Sequence, residues 1–239
     1  MIFENLIKTE VQVLSAVTDA LSQKSNTILS YFNQHCFNIY YTNQDYHNLL
    51  EARILYYLDG IGIYFALRLF GYKDVERFNA SDINAKILSF FCEKETKVFL
   101  IGGRFTPEQI TNNTNEQRLN VCGYQNGYFN ESEKVGLLEN IKDSGAQAVV
   151  IGMGVPAQEI LALEISNNIN VNMILCVGEF LEYYFGTKRR IPKSLRNIGI
   201  EWLFRLIKEP GRLWKRYIIG IPIFIIRIIQ LRFTKSRLT

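Results

Sequence analysis

From residue 37 to residue 177 the chain alternates short apolar runs with longer amphipathic stretches. The runs at 37–41, 54–57, 97–101, 119–122, 147–151 and 172–177 have the length and aliphatic content of buried strands. Between them, 44–51, 61–70, 81–92, 107–116, 132–144 and 157–168 carry apolar residues at helical spacing. Ser81-Asp82, Thr106-Pro107-Glu108 and Pro156 supply start signals for three of these helices. Strands alternating with helices predict βαβ units, and so a Rossmann-like α/β fold with a parallel-rich sheet. Residues 1–35 are more polar, with an amphipathic stretch at 6–21, and read as helical.

The pattern changes after Gly186, which divides the chain into an α/β domain, 1–186, and a helical appendage, 187–239. Pro192, Pro210 and Pro222 are expected to cut the appendage into short helices. Residues 188–239 hold 14 Lys/Arg against two Asp/Glu, a net of +12. The preceding 187 residues hold 13 basic and 21 acidic residues, a net of −8. A basic tail on an acidic body suits anionic partners: a nucleotide, nucleic acid or an anionic membrane surface. The apolar run at 218–226 falls short of the roughly 20 residues that a spanning helix needs. With Trp202, Trp214 and Tyr217 interleaved among Arg and Lys, the segment suits an interfacial position. The same face suits packing on the body or an interface in a homo-oligomer.

Ligands of open α/β sheets bind beyond the carboxyl ends of the strands. Five predicted strands are followed by glycines: Gly60 and Gly62; Gly102 and Gly103; Gly123 and Gly127; Gly152 and Gly154; Gly178. Such turns bring backbone N–H groups and helix N-termini close to an anion, which points to a phosphate-bearing ligand. Neither G-x-G-x-x-G after a strand nor G-x-x-x-x-G-K-[ST] occurs, which disfavours dinucleotide and P-loop chemistry. Asp59 stands where a strand gives way to a helix. It reads equally as an N-cap and as a carboxylate base. No D-x-D motif is present for a nucleotide-bound cation, and neither the cysteines nor His35 and His47 form a zinc pattern. Cys36, Cys92, Cys122 and Cys176 read as reduced cysteines of a cytoplasmic protein, and residues 1–5 lack the features of a secretory leader.

Several motifs, in order, resemble the bacterial WecG/TagA/CpsF glycosyltransferase family. They are Asp59-Gly60-Ile61-Gly62, Glu76-Arg77-Phe78-Asn79-Ala80-Ser81-Asp82, Phe99-Leu100-Ile101-Gly102-Gly103, Asn126-Gly127-Tyr128-Phe129 and Gly152-Met153-Gly154-Val155-Pro156-Ala157-Gln158-Glu159. The appendage adds Arg190-Ile191-Pro192, Glu201-Trp202-Leu203-Phe204-Arg205-Leu206 and Glu209-Pro210-Gly211-Arg212-Leu213-Trp214-Lys215-Arg216-Tyr217. The resemblance implies an inverting, metal-independent and cofactor-free transfer. The sugar, N-acetylmannosamine or a related hexose, passes from a UDP donor to a polyprenyl-diphosphate-linked acceptor in cell-surface polysaccharide synthesis. It implies a peripheral position on the inner face of the cell membrane. It also implies Asp59 as the base, Gln158 at the nucleotide-sugar site, and Arg205, Arg212 and Arg216 on the diphosphate. Gly102, Gly103, Asn126, Gly152 and Gly154 are expected to line the donor site. Thr42 and Asn43 stand where the family has Thr-x-Asn, in a segment about ten residues shorter than the family pattern, and Leu181-Glu182-Tyr183 replaces Phe-Asp-Phe. A non-catalytic membrane-surface or nucleotide-binding module is the alternative. A nucleic-acid role is disfavoured by the acidic body.

Overall fold

The computed structural model describes residues 3–4, 6–111, 119–189, 192, 196 and 199–236. Seven parallel strands form one sheet: β1 Leu6–Ile7, β2 Thr27–Phe32, β3 Ile54–Leu58, β4 Val98–Gly102, β5 Val121–Gln125, β6 Ala148–Gly152 and β7 Met173–Cys176. Their order is β1-β3-β2-β7-β6-β4-β5. Central strands β4, β6 and β7 are buried along almost their whole length, as parallel strands covered on both faces must be.

Helices cover both faces. On one face lie α2 Gln34–Thr42, α3 Gln44–Ala52, α4 Gly60–Leu69, α6 Glu131–Asp143 and α7 Ala157–Asn168. On the other lie α1 Glu10–Gln23, α5 Ala80–Glu93 and α8 Phe180–Tyr184. Two apolar clusters result, one per face. Phe32, Phe37, Ile63, Ile151 and Ile174 belong to the first, and Val17, Ile87, Leu100, Val150 and Leu175 to the second.

The amino-terminal third differs from the sequence expectation. Residues 37–41 are not a strand; they belong to α2. The strand is β2, and Asn33 behind it accepts hydrogen bonds from the N–H groups of His35 and Cys36, which sets the start of α2. Residues 1–35 accordingly contain β1, α1 and β2 rather than helix alone. Other helix starts follow the same rule. Asn43 caps α3, Asn79 caps α5 in place of the expected Ser81-Asp82, and Asn130 forms a capping box with Glu133. Of the helix expected at 107–116, residues 107–111 are helical and 112–116 lie outside the described residues. The expected Thr106 start is present: its hydroxyl accepts from the Gln109 N–H.

The appendage holds α9 Glu201–Lys208, α10 Pro210–Trp214, a π-helical turn Lys215–Ile219, and α11 Gly220–Ser236. From Pro210 to Ser236 the helix runs without a break. Pro222 does not interrupt it, because the preceding π turn has already shifted the bonding, with the Gly220 N–H reaching the Lys215 carbonyl. The stretch Pro210–Thr234 is thus a helix of 25 residues, long and apolar enough to cross a membrane by length and composition. The nine-residue run seen in the sequence understated it.

One side of this helix is seated on the body. Phe224 and Ile228 are buried in the first core cluster, and the Phe224 ring meets Phe37 edge-on, 5.1 Å between centroids. The Asn38 side chain donates to the Gly220 carbonyl at 2.7 Å, and Arg227 donates to the carbonyl and side-chain oxygens of Asn38. Truncating Phe224 therefore opens the seam between α11 and α2. Phe224→Ala is expected to cost about 3–5 kcal/mol of stability, read by urea unfolding.

Candidate active site

The carboxyl edge of the sheet is hollowed into two adjoining clefts beneath the appendage. The first, about 760 Å³, has Gly103, Gly127, Gly152, Gly154 and Gly178 along it and Arg216 above. The second, about 770 Å³, is bordered by Gln34, Arg77, Asn79, Ser81 and Trp202. Asp59 borders both.

Asp59 occupies the N-cap position of α4 but makes no side-chain bond to that helix. Its Oδ1 accepts from the Ala80 N–H at 2.9 Å, and its Oδ2 accepts from the Asn33 amide at 3.1 Å. The carboxylate is thus tied to the first turn of α5 and to the end of β2. Each oxygen keeps a lone pair for a further donor.

The glycines divide by role. Gly102 serves the sheet: a Cβ there would lie 2.5 Å from the Gly152 carbonyl oxygen. Gly178, at φ +59°, packs on the Tyr31 ring, where a Cβ would lie 2.6 Å from the hydroxyl. Gly103, Gly152 and Gly154 border the cleft. Asn126 is not at its wall; its side chain accepts from the Tyr128 N–H and shapes the turn holding Gly127.

Gln158 is fully buried and does not reach the cleft. Its Oε1 accepts from the Gly178 N–H at 2.9 Å, and its Nε2 donates to Glu159 Oε1 at 2.7 Å. The Ser30 hydroxyl donates to the same Glu159 oxygen. Burial pushes the Glu159 carboxyl up to about 7, against the opposing pull of those two bonds. Gln158 therefore supports the turn at the cleft from behind.

Thr42 lies at the cleft, where its hydroxyl bonds back to the Asn38 carbonyl, and Asn43 caps α3. Neither follows a strand. The strand-end triplet is Tyr31-Phe32-Asn33. Asn33 stands ten positions before Asn43, and its amide reaches Asp59.

The three appendage arginines all border the first cleft, with unequal commitments. Arg205 pairs with Glu201 at 3.1 Å and with Glu179 at 3.6 Å. Arg212 pairs with Glu209 and, at 2.9 Å, with Glu179. Lys188 joins Glu179, Glu182 and Glu209. One carboxylate, Glu179, thus anchors three appendage cations to the turn after β7. Arg216 differs. Its Nε is buried with no hydrogen-bond partner among the described residues, and its guanidinium lies 5.5 Å over the Tyr217 ring. It stands close to His35, which burial first and Arg216 second push down to about 4, leaving the imidazole neutral at pH 7.

Asn33, Tyr31, His35, Glu179 and Lys188 border the cleft without having been anticipated. Asn33 carried the one usable signal, a capping residue directly behind an apolar run. The glutamate partners are set by tertiary contact. Among the described residues no three His, Cys, Asp or Glu side chains form a group able to hold a metal ion. The motif residues Arg190 and Ile191 lie outside the described residues.

The Glu179 network has a pH signature. Burial pushes its carboxyl up, but the Lys188 bond and the charges of Arg205, Lys188 and Arg212 outweigh it and hold the group below the usual range. A depressed carboxyl stabilises the fold above its unfolded pKa, about 4.3, and loses that contribution as pH falls through its folded value. Glu179→Gln should accordingly lower Tm at pH 6–7. The gap to the parent should close as the pH drops below the usual carboxylate range.

A glycine-floored cleft at the carboxyl edge of a parallel sheet, with a carboxylate at its wall and cations above, suits a phosphate-bearing donor. The family model of the glycosyl transferase WecG/TagA/CpsF family matches residues 4–238, nearly the whole chain. The chain therefore belongs to the WecG/TagA/CpsF family of glycosyltransferases.

Proposed function

We propose that the protein transfers N-acetylmannosamine or a related hexose from UDP to a polyprenyl-diphosphate-linked sugar, with inversion and without a metal ion, in cell-surface polysaccharide synthesis. The observation that carries this reading is the position of Asp59 on the wall shared by two clefts. A transferase must hold two substrates on either side of the group that moves the proton. The glycine-floored cleft suits the UDP-sugar, whose diphosphate needs N–H donors and a cation. The second cleft, with Trp202 and several polar groups, suits the acceptor sugar.

In this mechanism the acceptor hydroxyl oxygen attacks the anomeric carbon from the face opposite UDP. Asp59 takes the hydroxyl proton, and the bond from the anomeric carbon to the diphosphate oxygen breaks. UDP leaves with the bonding pair. Arg216, which has a buried donor to spare, meets the charge that develops on the diphosphate. Arg205 and Arg212, tied to Glu179, Glu201 and Glu209, hold the appendage over the cleft.

The appendage is the membrane-facing part in this reading. Ile218, Ile225, Ile226, Ile229 and Phe233 are exposed on the long helix, and Leu203 and Ile207 on α9. The opposite side of the long helix is occupied by α2, so lipid cannot surround it in this arrangement. An interfacial position on the anionic inner leaflet, where a polyprenyl-linked acceptor is held, fits such a helix.

Two measurements test the reading. Asp59→Asn should lower kcat about 10²–10⁴-fold while UDP still raises Tm, since the base is lost and the glycine-bordered cleft is unchanged; the new NH2 group faces either the Ala80 N–H or the Asn33 amide, which lowers the starting Tm. Near-normal turnover in that variant would overturn the assignment. Paired Ile225→Asn and Ile229→Asn substitutions should weaken flotation with anionic vesicles without lowering Tm, because both side chains already face solvent.

A further inference from the structure

Asn33 makes three hydrogen bonds with a single side-chain amide, and they leave it one orientation. It is buried, 6% exposed, at the end of β2. Its Oδ1 accepts from the backbone N–H groups of His35 at 3.0 Å and Cys36 at 3.2 Å. Both are first-turn groups of α2 with no partner inside the helix. An amide has one acceptor oxygen and one donor nitrogen. With two N–H groups facing the oxygen, turning the amide over would set donor against donor. The nitrogen must therefore face away from α2, and there it meets Asp59 Oδ2 at 3.1 Å.

From this geometry we propose that Asn33 is a positioning residue for the transfer: it fixes the Asp59 carboxylate in the wall between the clefts and keeps an N–H donor on it. The start of α2 is the reference that holds the amide, and the amide holds the base. The second constraint on Asp59, the Ala80 N–H at 2.9 Å, comes from α5 on the opposite face of the sheet. Two helices on opposite faces thus clamp one carboxylate. Rotation of the carboxyl group would break one bond or both, so the free lone pairs keep a constant direction toward the clefts. The charged groups acting on the neighbouring Tyr31 and Cys36 are Asp59, Arg216 and the buried Glu159, and His35 beside them is neutral. Asn33 borders both clefts and rests on the catalytic reading of Asp59 given above.

The cap and the positioning role can be separated by substitution. Asp caps a helix as well as Asn does, and Ser nearly so. Asn33→Asp keeps the acceptor for His35 and Cys36 but replaces the donor to Asp59 with a second carboxylate. Like charges sharing a site raise the pH at which the pair becomes fully ionised. Asn33→Ser keeps the cap and leaves Asp59 without the donor.

The experiment uses the full chain with a panel of UDP-sugars and a polyprenyl-diphosphate-linked N-acetylglucosamine acceptor. For Asn33→Asp, Tm is expected to be near the parent's below the usual carboxylate range and lower at neutral pH, while the acid limb of the kcat profile moves up by about one pH unit or more, roughly a tenfold loss on that limb. Asn33→Ser should lose turnover with a smaller displacement of the limb. A parent-like profile and rate in Asn33→Asp would overturn the proposal. So would turnover losses across Asp, Ser and Ala variants that simply follow their losses of Tm, since that is the behaviour of a cap alone. A second readout is independent of transfer. Carbon-13 titration of the Asp59 carboxyl, assigned by its disappearance in Asp59→Asn, should show a raised midpoint in Asn33→Asp. If the parent transfers no sugar, the catalytic reading fails while this titration still decides the contact; an unmoved midpoint there overturns the positioning role.

Discussion

A parallel sheet delivers every strand end to the same edge, and there the chain must also satisfy the unpaired N–H groups that begin its helices. This protein meets the demand largely with asparagine: Asn33, Asn43, Asn79 and Asn130 each accept from the first turn of the helix that follows. Asp59 departs from that pattern, as Glu179 does before α8. It stands at such a position and leaves its own helix uncapped, lending its oxygens to the neighbouring α5 and to Asn33. A residue free of the local structural duty is available for chemistry. The two clefts meet at that departure from the rule.

Electrostatics over the site follow from pairing rather than from charge count. The basic tail suggests a cationic lid, but Lys188, Arg205 and Arg212 are each paired with carboxylates among Glu179, Glu182, Glu201 and Glu209. Such pairs supply geometry more than stability, since each charge has surrendered part of its water. Their net effect is to fix α9 and α10 over the turn after β7. Arg216 is left out of this pairing, and its buried Nε has no hydrogen-bond partner among the described residues.

How much of this was legible in the sequence depended on the range of the contacts. The alternation after residue 54, most of the glycines at the strand ends and Asp59 at the head of a helix are local patterns that matched the architecture, whereas Gly123, expected behind a strand, lies inside β5. Strand β2 was hidden because Ser30 interrupts it. That hydroxyl is buried only because Glu159, 129 residues away, receives its hydrogen bond. The aromatic run at 37–41 imitated a strand because its own residues are apolar and aromatic, while the cap that makes it helical, Asn33, stands before the run. Gln158 belonged to a motif, yet the motif could not tell whether the side chain faces the cleft or supports it from behind. The division of labour among the appendage arginines was hidden for the same reason: Glu179 and Arg212 meet across 33 positions.

The π turn at Lys215–Ile219 sets the phase of everything that follows it. Each residue of an α-helix turns the chain by about 100°. Losing or gaining one position in this turn would rotate Phe224 and Ile228 off α2 and swing exposed isoleucines toward it. Length is therefore a stricter constraint here than identity. Many apolar side chains can serve on the outward face, but the count of residues between Arg216 and Phe224 keeps the guanidinium over the cleft while the ring stays in its seat. A surface helix of this kind tolerates substitution and resists insertion, the reverse of what its exposed position suggests.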